Sequence, residues 1–367
     1  MAGSTDTIVN GKSASFSGKI AVITNLPSQT QNDEEVWSAE QLIEKYGSDR
    51  IIHATWPAFF LREQEQVNAV IAPLSMDSEI KAIILNKTVP GCNAAIDRVK
   101  KIRDDIFFIH CVVTEPPVET AIRGNLILEK DDIGAGSAMV KQAKKQGAGT
   151  FVHYSFPRHI SLAHRAKCRD LMRETCETEG IRFVDAAAVD PQEDMYGAQQ
   201  FIVDDIPRLV AKYGEDTAFF ATNCSLQIPL IKAVVDSHAI YPQPCCPSPV
   251  HGFPGALNFT PKNPLDSKYT INEARKVLTR KNETGRISTW PVSSATAFTN
   301  AGAEYAIMWI NGEAPKTGIN EKLLSDCVCT YAKEMSDLDI GCSFISYQNS
   351  GIIYENFKLM LMDYVTY

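Results

Sequence analysis

Short apolar runs alternate with amphipathic stretches through the first two thirds of the chain. KIAVITN (19–25) is an apolar run of strand length. Val36, Ala39, Ile43 and Tyr46 then repeat at helical spacing until Gly47, and Asn32 and Glu35 stand as a capping box ahead of them. IIHATW, from residue 51, predicts a second strand and 62–74 a helix with Val67, Val70, Ile71 and Leu74 inward. KAIILNK (81–87), a helix over 92–103 and DIFFIHCVV (105–113) continue the beat. The last run is almost wholly apolar, as a parallel strand covered on both faces is.

The alternation restarts after NLILEKDD (125–132). Helices are predicted over 133–147, 161–179, 197–213 and 225–237, between strands at TFVHYSF (150–156), IRFVDAAAV (from 181) and TAFFATN (217–223). IYPQPCC (240–246) reads as a Pro-weakened edge strand. Beyond 250 the pattern loosens, with helices over 271–281, 294–311 and 319–336, a strand at GRISTWPVS (285–293), and a tail, GIIYENFKLMLMDYVTY, that fits strand or helix. Two βα series of this length predict an α/β protein with two doubly wound, mainly parallel sheets.

The 367 residues exceed one ordinary core, in keeping with two lobes. A net charge of −8 argues against a nucleic-acid partner. No apolar run is long enough to span a membrane, and the polar, Gly/Ser-rich residues 1–17 read as a flexible leader. Ten cysteines in a chain with a real core read chiefly as buried thiols.

In open α/β sheets ligands bind beyond the carboxyl ends of the strands. The loops there hold Asn25, Ser28, Thr55, Trp56, Phe59 and Asn86 in the first half. The second half supplies Ser155, Phe156, Arg158, His159, Asn223 and Cys224, and Trp290 ends the late strand. Aromatic faces with amides and hydroxyls suit a small polar solute such as a sugar, a nucleoside or an amino-acid-like molecule. Trp56 is expected as a wall residue, although an aromatic at a strand end also serves to cap a core. Arg158 and His159 precede a helix for which Ser161 is the expected N-cap, a favourable place for an anion or, equally, for a surface ion pair.

The motifs of cofactor and hydrolytic chemistry are missing. The first βα loop, NLPSQTQND, has no glycine; no phosphate loop, nucleophile elbow or HExxH occurs. The vicinal pair Cys245–Cys246 and the CVC of 327–329 lack zinc-site spacing, so no metal and no cofactor are expected. Cys224, after a strand and before a helix, is the best candidate nucleophile for an enzyme, but no partner base is evident.

The order of KIAVITN, HATW, QVNAVIAPL, KAIILNK, CNAAIDRVKKI and DIFFIHCV resembles the type I periplasmic solute-binding proteins. So do LEKDDIGAGSAMVKQAKKQGA, as a linker into a second lobe, and TWPVSSATAFTNAGAEYAIMWINGE, as a return to the first. GSDRIIHATWPAFF, HYSFPRH, FFATNCSLQIPLIKAVVDSHAIYPQPCCPSP and LMDYVTY resemble an uncharacterised bacterial family of that fold with lipoprotein-type leaders or regulator labels. The resemblance implies lobe 1 at 18–124 plus 291–341 and lobe 2 at 125–290 plus 342–367. It implies a hinge of three linkers near 124–132, 285–291 and 341–351, closing on a ligand between the lobes. It also implies an extracytoplasmic, monomeric protein feeding an ABC importer permease, with a lipid anchor inferred only, since no lipobox cysteine stands near the start. A ligand sensor in a regulatory system is the alternative; the acidic charge and the lack of a helix-turn-helix ahead of KIAVITN weigh against a DNA-binding repressor.

Overall fold

The computed structural model describes residues 15–27, 33–60, 64–261, 263 and 265–367. The elements run β1 (Lys19–Thr24), α1 (Asp33–Tyr46), β2 (Ile51–Thr55), α2 (Gln64–Met76), β3 (Ile80–Thr88), α3 (Cys92–Lys100), β4 (Phe107–Val113), α4 (Pro117–Ala121) and β5 (Leu126–Lys130). The second series is α5 (Gly134–Lys145), β6 (Thr150–Ser155), α6 (Pro157–Ile160), α7 (Ala163–Glu179), β7 (Arg182–Ala187), α8 (Met195–Tyr213), β8 (Thr217–Ala221), α9 (Gln227–Asp236), α10 (Phe253–Leu257) and α11 (Ser267–Arg280). The chain ends with β9 (Ser288–Thr289), α12 (Ser294–Ile310), α13 (Glu321–Ser336), β10 (Cys342–Asn349), β11 (Ile352–Met362) and β12 (Val365–Thr366).

The first sheet has the order β10-β11-β5-β4-β3-β1-β2, parallel except for β10. α1, α12 and α13 pack on one face, around Val22, Ile84, Ile109 and Phe298; α2 and α3 pack on the other, around Ile23, Ile83, Leu85 and Phe108. Because β3 and β4 are covered on both sides, their residues run apolar without alternation. The second sheet is β7-β6-β8, all parallel. α5 and α7 cover one face; α8, α9, α10 and α11 cover the other.

Two expectations about this sheet and its hinge are corrected. Residues 240–246 are not an edge strand. Ile240 bridges Ala218 and Tyr241 bridges Ile287, so the segment lies inside the sheet, between β8 and the β9 region. Pro242 and Pro244 lack N–H donors, which limits its pairing to those bridges.

The lobe boundaries also move. β5, expected in the second lobe, pairs with β4 and β11, and the tail forms β10 and β11 on the edge of the first sheet. Ser350 and Gly351, both at positive φ (51° and 79°), make the two-residue turn that joins them. Only then does the chain leave the first lobe, through Asp363 and Tyr364, to pair β12 with β9. The third crossing therefore falls at 363–364 rather than near 341–351. The other two fall at 131–133, between β5 and α5, and around Trp290, between β9 and α12.

Candidate functional site

The carboxyl ends of β1 and β3 bring Asn25, Asn86 and Lys87 together on the first lobe. Asn86 donates from Nδ2 to the Ala295 carbonyl at 3.0 Å and to Thr299 Oγ1 at 2.5 Å, fixing the strand end to α12. Its Oδ1 is buried without a protein partner, as are Oδ1 of Asn25 and Oε2 of Glu35. The Asn25 backbone N–H faces the Glu35 carboxyl, and Lys87 lies near it. Burial nevertheless prevails and pushes that acid up to about 7. Two buried amide acceptors, beside a carboxyl that donates when protonated and accepts when ionised, are the arrangement a polar solute would complete.

Glu34, next along α1, is likewise pushed up by burial, against the opposing influence of Ser248 and His251. Ser248 belongs to the loop that follows the 240–241 bridges and donates to Glu34 Oε1 at 2.9 Å, so the two lobes touch here.

Between the first crossing and the second lobe lies a small pocket of about 20 Å³, room for about one water, lined in part by Lys130, Asp132, His153, His164, Arg165 and Cys245. Lys130 Nζ pairs with Asp132 at 2.6 Å and donates to the Cys245 carbonyl at 3.1 Å. Although burial opposes it, Asp132 holds the Lys130 ammonium charged. Burial pushes His164 and His153 down toward the neutral form. Arg165 Nε and Gln243 Nε2 are buried donors with no protein partner, while Gln243 Oε1 accepts from the Tyr364 hydroxyl at 2.6 Å.

At the β6 mouth Ser155 and Phe156 are buried, and His159 lies over the Phe156 ring with centroids 4.1 Å apart. His159 Nδ1 meets Thr222 Oγ1 at 2.9 Å, and burial together with Arg165 pushes its pKa down to about 4. Arg158 forks onto Asp190 with two 2.8 Å bonds and lies over Phe156, so it is a paired surface arginine rather than an open anion clamp. Ser161 does not cap α7: the N-cap is Leu162, and the Ser161 hydroxyl turns back to the Arg158 carbonyl. Asn223 caps the turn after β8, its Oδ1 accepting from the Ser225 N–H at 2.9 Å, and Cys224 stands beside Cys245.

The aromatics divide. Trp56 is 1% exposed, packs among Ala21, Ile23 and Leu85, and donates from Nε1 to the Lys87 carbonyl at 2.7 Å. It is a core residue that braces the strand end from behind, not a wall. Trp290 is fully buried in the first-lobe core at the second crossing. Phe59, by contrast, is 68% exposed on the loop after β2, and Thr55 is half-buried where that strand ends. Ser28 and Asn32 lie outside the described residues.

Sequence reasoning missed Glu34, Lys130, Asp132, Arg165 and His251. Glu34 sits beside an acid that reads as a helix cap, and Lys130 and Asp132 sit in a stretch that reads as a linker. No local pattern marks them. Only the crossing of the chain at 131–133 brings Lys130 and Asp132 to one wall with Arg165.

A solved structure from Clostridium difficile 630, labelled a transcriptional regulator, superposes with a TM-score of 0.85 at 19% identity, covering 96% of this chain and 99% of that one. An ABC transporter solute binding protein from Bradyrhizobium sp. BTAi1, with bound bis-tris, superposes at 0.55 and 11% identity, covering 85% of this chain and 83% of its own. The fold is thus that of the two-lobed solute-binding proteins. An uncharacterized protein of Treponema pallidum (strain Nichols) is 32% identical over 164 residues, 44% of this chain and 76% of the relative. A family model described as "Protein of unknown function (DUF3798)" matches residues 18–288, and the chain belongs to that family.

Proposed function

We propose that this protein captures one small polar solute between its lobes and delivers it, chemically unchanged, to an ABC importer from outside the cytoplasm. The observation that carries the reading is the set of buried, partnerless polar atoms on facing lobes: Oδ1 of Asn25, Oδ1 of Asn86 and Oε2 of Glu35 on one side, Nε2 of Gln243 and Nε of Arg165 on the other. The amide acceptors and the Glu35 carboxyl on the first lobe and the donors on the second suit a solute carrying both hydroxyl or amine donors and carbonyl, phosphate or carboxylate acceptors. Phe59 supplies an exposed aromatic face for stacking. Ser155, Phe156, His159 and Asn223 complete the second-lobe mouth. Three chain crossings permit hinge closure without breaking either sheet. Among the described residues no helix is long and apolar enough to cross a membrane.

A thermal-shift screen of pentoses, hexoses, nucleosides, amino acids and their phosphorylated or acylated conjugates tests the reading. A solute at about 100 times its dissociation constant adds about 2.7 kcal/mol of stability, and is recovered intact. A flat response across every class, or conversion of the solute, removes the proposal. The regulator label on the C. difficile structure favours a second reading, a ligand-sensing component. Permease and ATPase genes beside this one point to transport, a kinase gene to sensing.

A further inference from the structure

The loop that follows the 240–241 bridges carries four prolines, at 242, 244, 247 and 249, and two adjacent cysteines between them. Proline fixes φ, so this loop loses little freedom on folding and presents Cys245 and Cys246 in a set position. Three further contacts hold it: Tyr364 to Gln243, Lys130 to the Cys245 carbonyl, and Ser248 to Glu34. Facing it, Cys224 opens the 3-10 turn after β8, and Asn223 caps that turn.

The result is a cluster that no spacing rule would find. Cys224 Sγ lies 3.3 Å from Cys245 Sγ and 3.7 Å from Cys246 Sγ, and Cys245 Sγ lies 4.0 Å from His251 Nε2. The ligand atoms of Cys224, Cys245 and His251 all fall within 4.8 Å of one another. A tetrahedral zinc ion has Zn–S bonds of about 2.3 Å and Zn–N bonds of about 2.0–2.1 Å, which set ligand-to-ligand edges of about 3.5–3.8 Å. The Cys224–Cys245, Cys224–Cys246 and Cys245–His251 separations bracket that value; Cys246 lies outside the group that falls within 4.8 Å and would complete the set by a turn of its exposed side chain. A disulfide between Cys224 and Cys245 would instead need the sulfurs at about 2.05 Å and would leave Cys246 and His251 unused. Cys246 is exposed, which gives an ion a route in.

We infer that Cys224, Cys245, Cys246 and His251 form a Cys3His zinc site at the junction of the two lobes. Four protein ligands leave no open position, so the ion is structural. It clamps the proline loop to the end of β8 and thereby sets the second-lobe wall on which Ser248 meets Glu34. The inference stands on these four side chains and does not depend on which solute the cleft takes.

The test uses the full chain, reduced, stripped with a chelator and titrated with Co²⁺ alone. One equivalent should bind with near-ultraviolet thiolate-to-cobalt absorption and visible bands of tetrahedral intensity, and Zn²⁺ should bleach both stoichiometrically. Cys224→Ser and His251→Ala should each weaken binding by roughly tenfold or more, whereas Cys329→Ser, at the other close thiol pair, should leave it unchanged. Cys246→Ser at the exposed position guards against misfolding of the buried variants and should weaken binding too. Absence of charge-transfer absorption in the reduced wild-type chain overturns the site. So does cobalt affinity that is indifferent to Cys224, Cys246 and His251.

Discussion

The Ser248 hydroxyl donates to the Glu34 carboxylate at 2.9 Å, joining a loop of the second lobe to the first helix of the first. The two residues are 214 positions apart, and the bond sits beside the strand mouths that hold the partnerless amides. Ser248→Ala leaves a buried carboxyl without its hydroxyl donor. A loss of about 1–2 kcal/mol is expected in urea unfolding; an unchanged midpoint would mean that water replaces the hydroxyl at no cost.

The contribution of Glu35 to stability should fall as pH rises through the weakly acidic range. Glu35 keeps its proton in the folded chain up to about pH 7, whereas the unfolded side chain ionises near 4.5. The folded state holds the extra proton between those values, so the contribution is complete below about pH 4.5 and gone above about 7. A gap of about 2.5 units corresponds to about 3 kcal/mol. Glu129, also pushed up to about 7 by burial, acts in the same direction. Buried His110, pushed down to about 3, acts oppositely over an overlapping range. The informative quantity is therefore the difference between the wild-type and Glu35→Gln stability curves. It should change by about 3 kcal/mol between pH 4.5 and 7, and a pH-independent difference would contradict the assignment.

Trp56→Ala should behave as a core deletion, costing about 3–5 kcal/mol in thermal or denaturant unfolding. Trp56→Phe keeps most of the volume and loses the N–H bonded to the Lys87 carbonyl, so its cost should be smaller, about 1–2 kcal/mol. Near-wild-type stability of the alanine variant would return Trp56 to the cleft wall.

If the solute is anionic, Arg165→Ala should weaken its binding and Arg158→Ala should not. Arg165 lines the pocket with a buried donor unused, whereas Nε and Nη2 of Arg158 are engaged by Asp190. Calorimetric titration of both variants with the best hit of the solute screen checks this, and the reverse order would restore the Arg158 anion site.

Much of this fold is legible in the sequence because parallel strands and their helices are encoded locally. Runs such as DIFFIHCVV read directly as buried strands, and helix ends at Gly47, Gly180 and Gly214 all fall at positive φ, where glycine is favoured. The tail is harder: Ile352 and Ile353 are exposed and Phe357 and Lys358 are both buried, so strand alternation appears only from Lys358 to Met362. Only pairing with β5 decides it. Trp56 misleads because an aromatic at a strand end has the same local context whether it closes a core or walls a cleft. The thiol cluster is invisible because Cys224 and Cys245 are 21 residues apart and meet only through sheet order.

The central claim is that one solute is gripped by both lobes at once. Calorimetry with the best-scoring solute, on wild type, Asn86→Ala from the first lobe and His159→Ala from the second, tests it most directly. The account predicts one site per chain and weaker binding in both variants. Binding that responds to changes in one lobe and is indifferent to the other would contradict it.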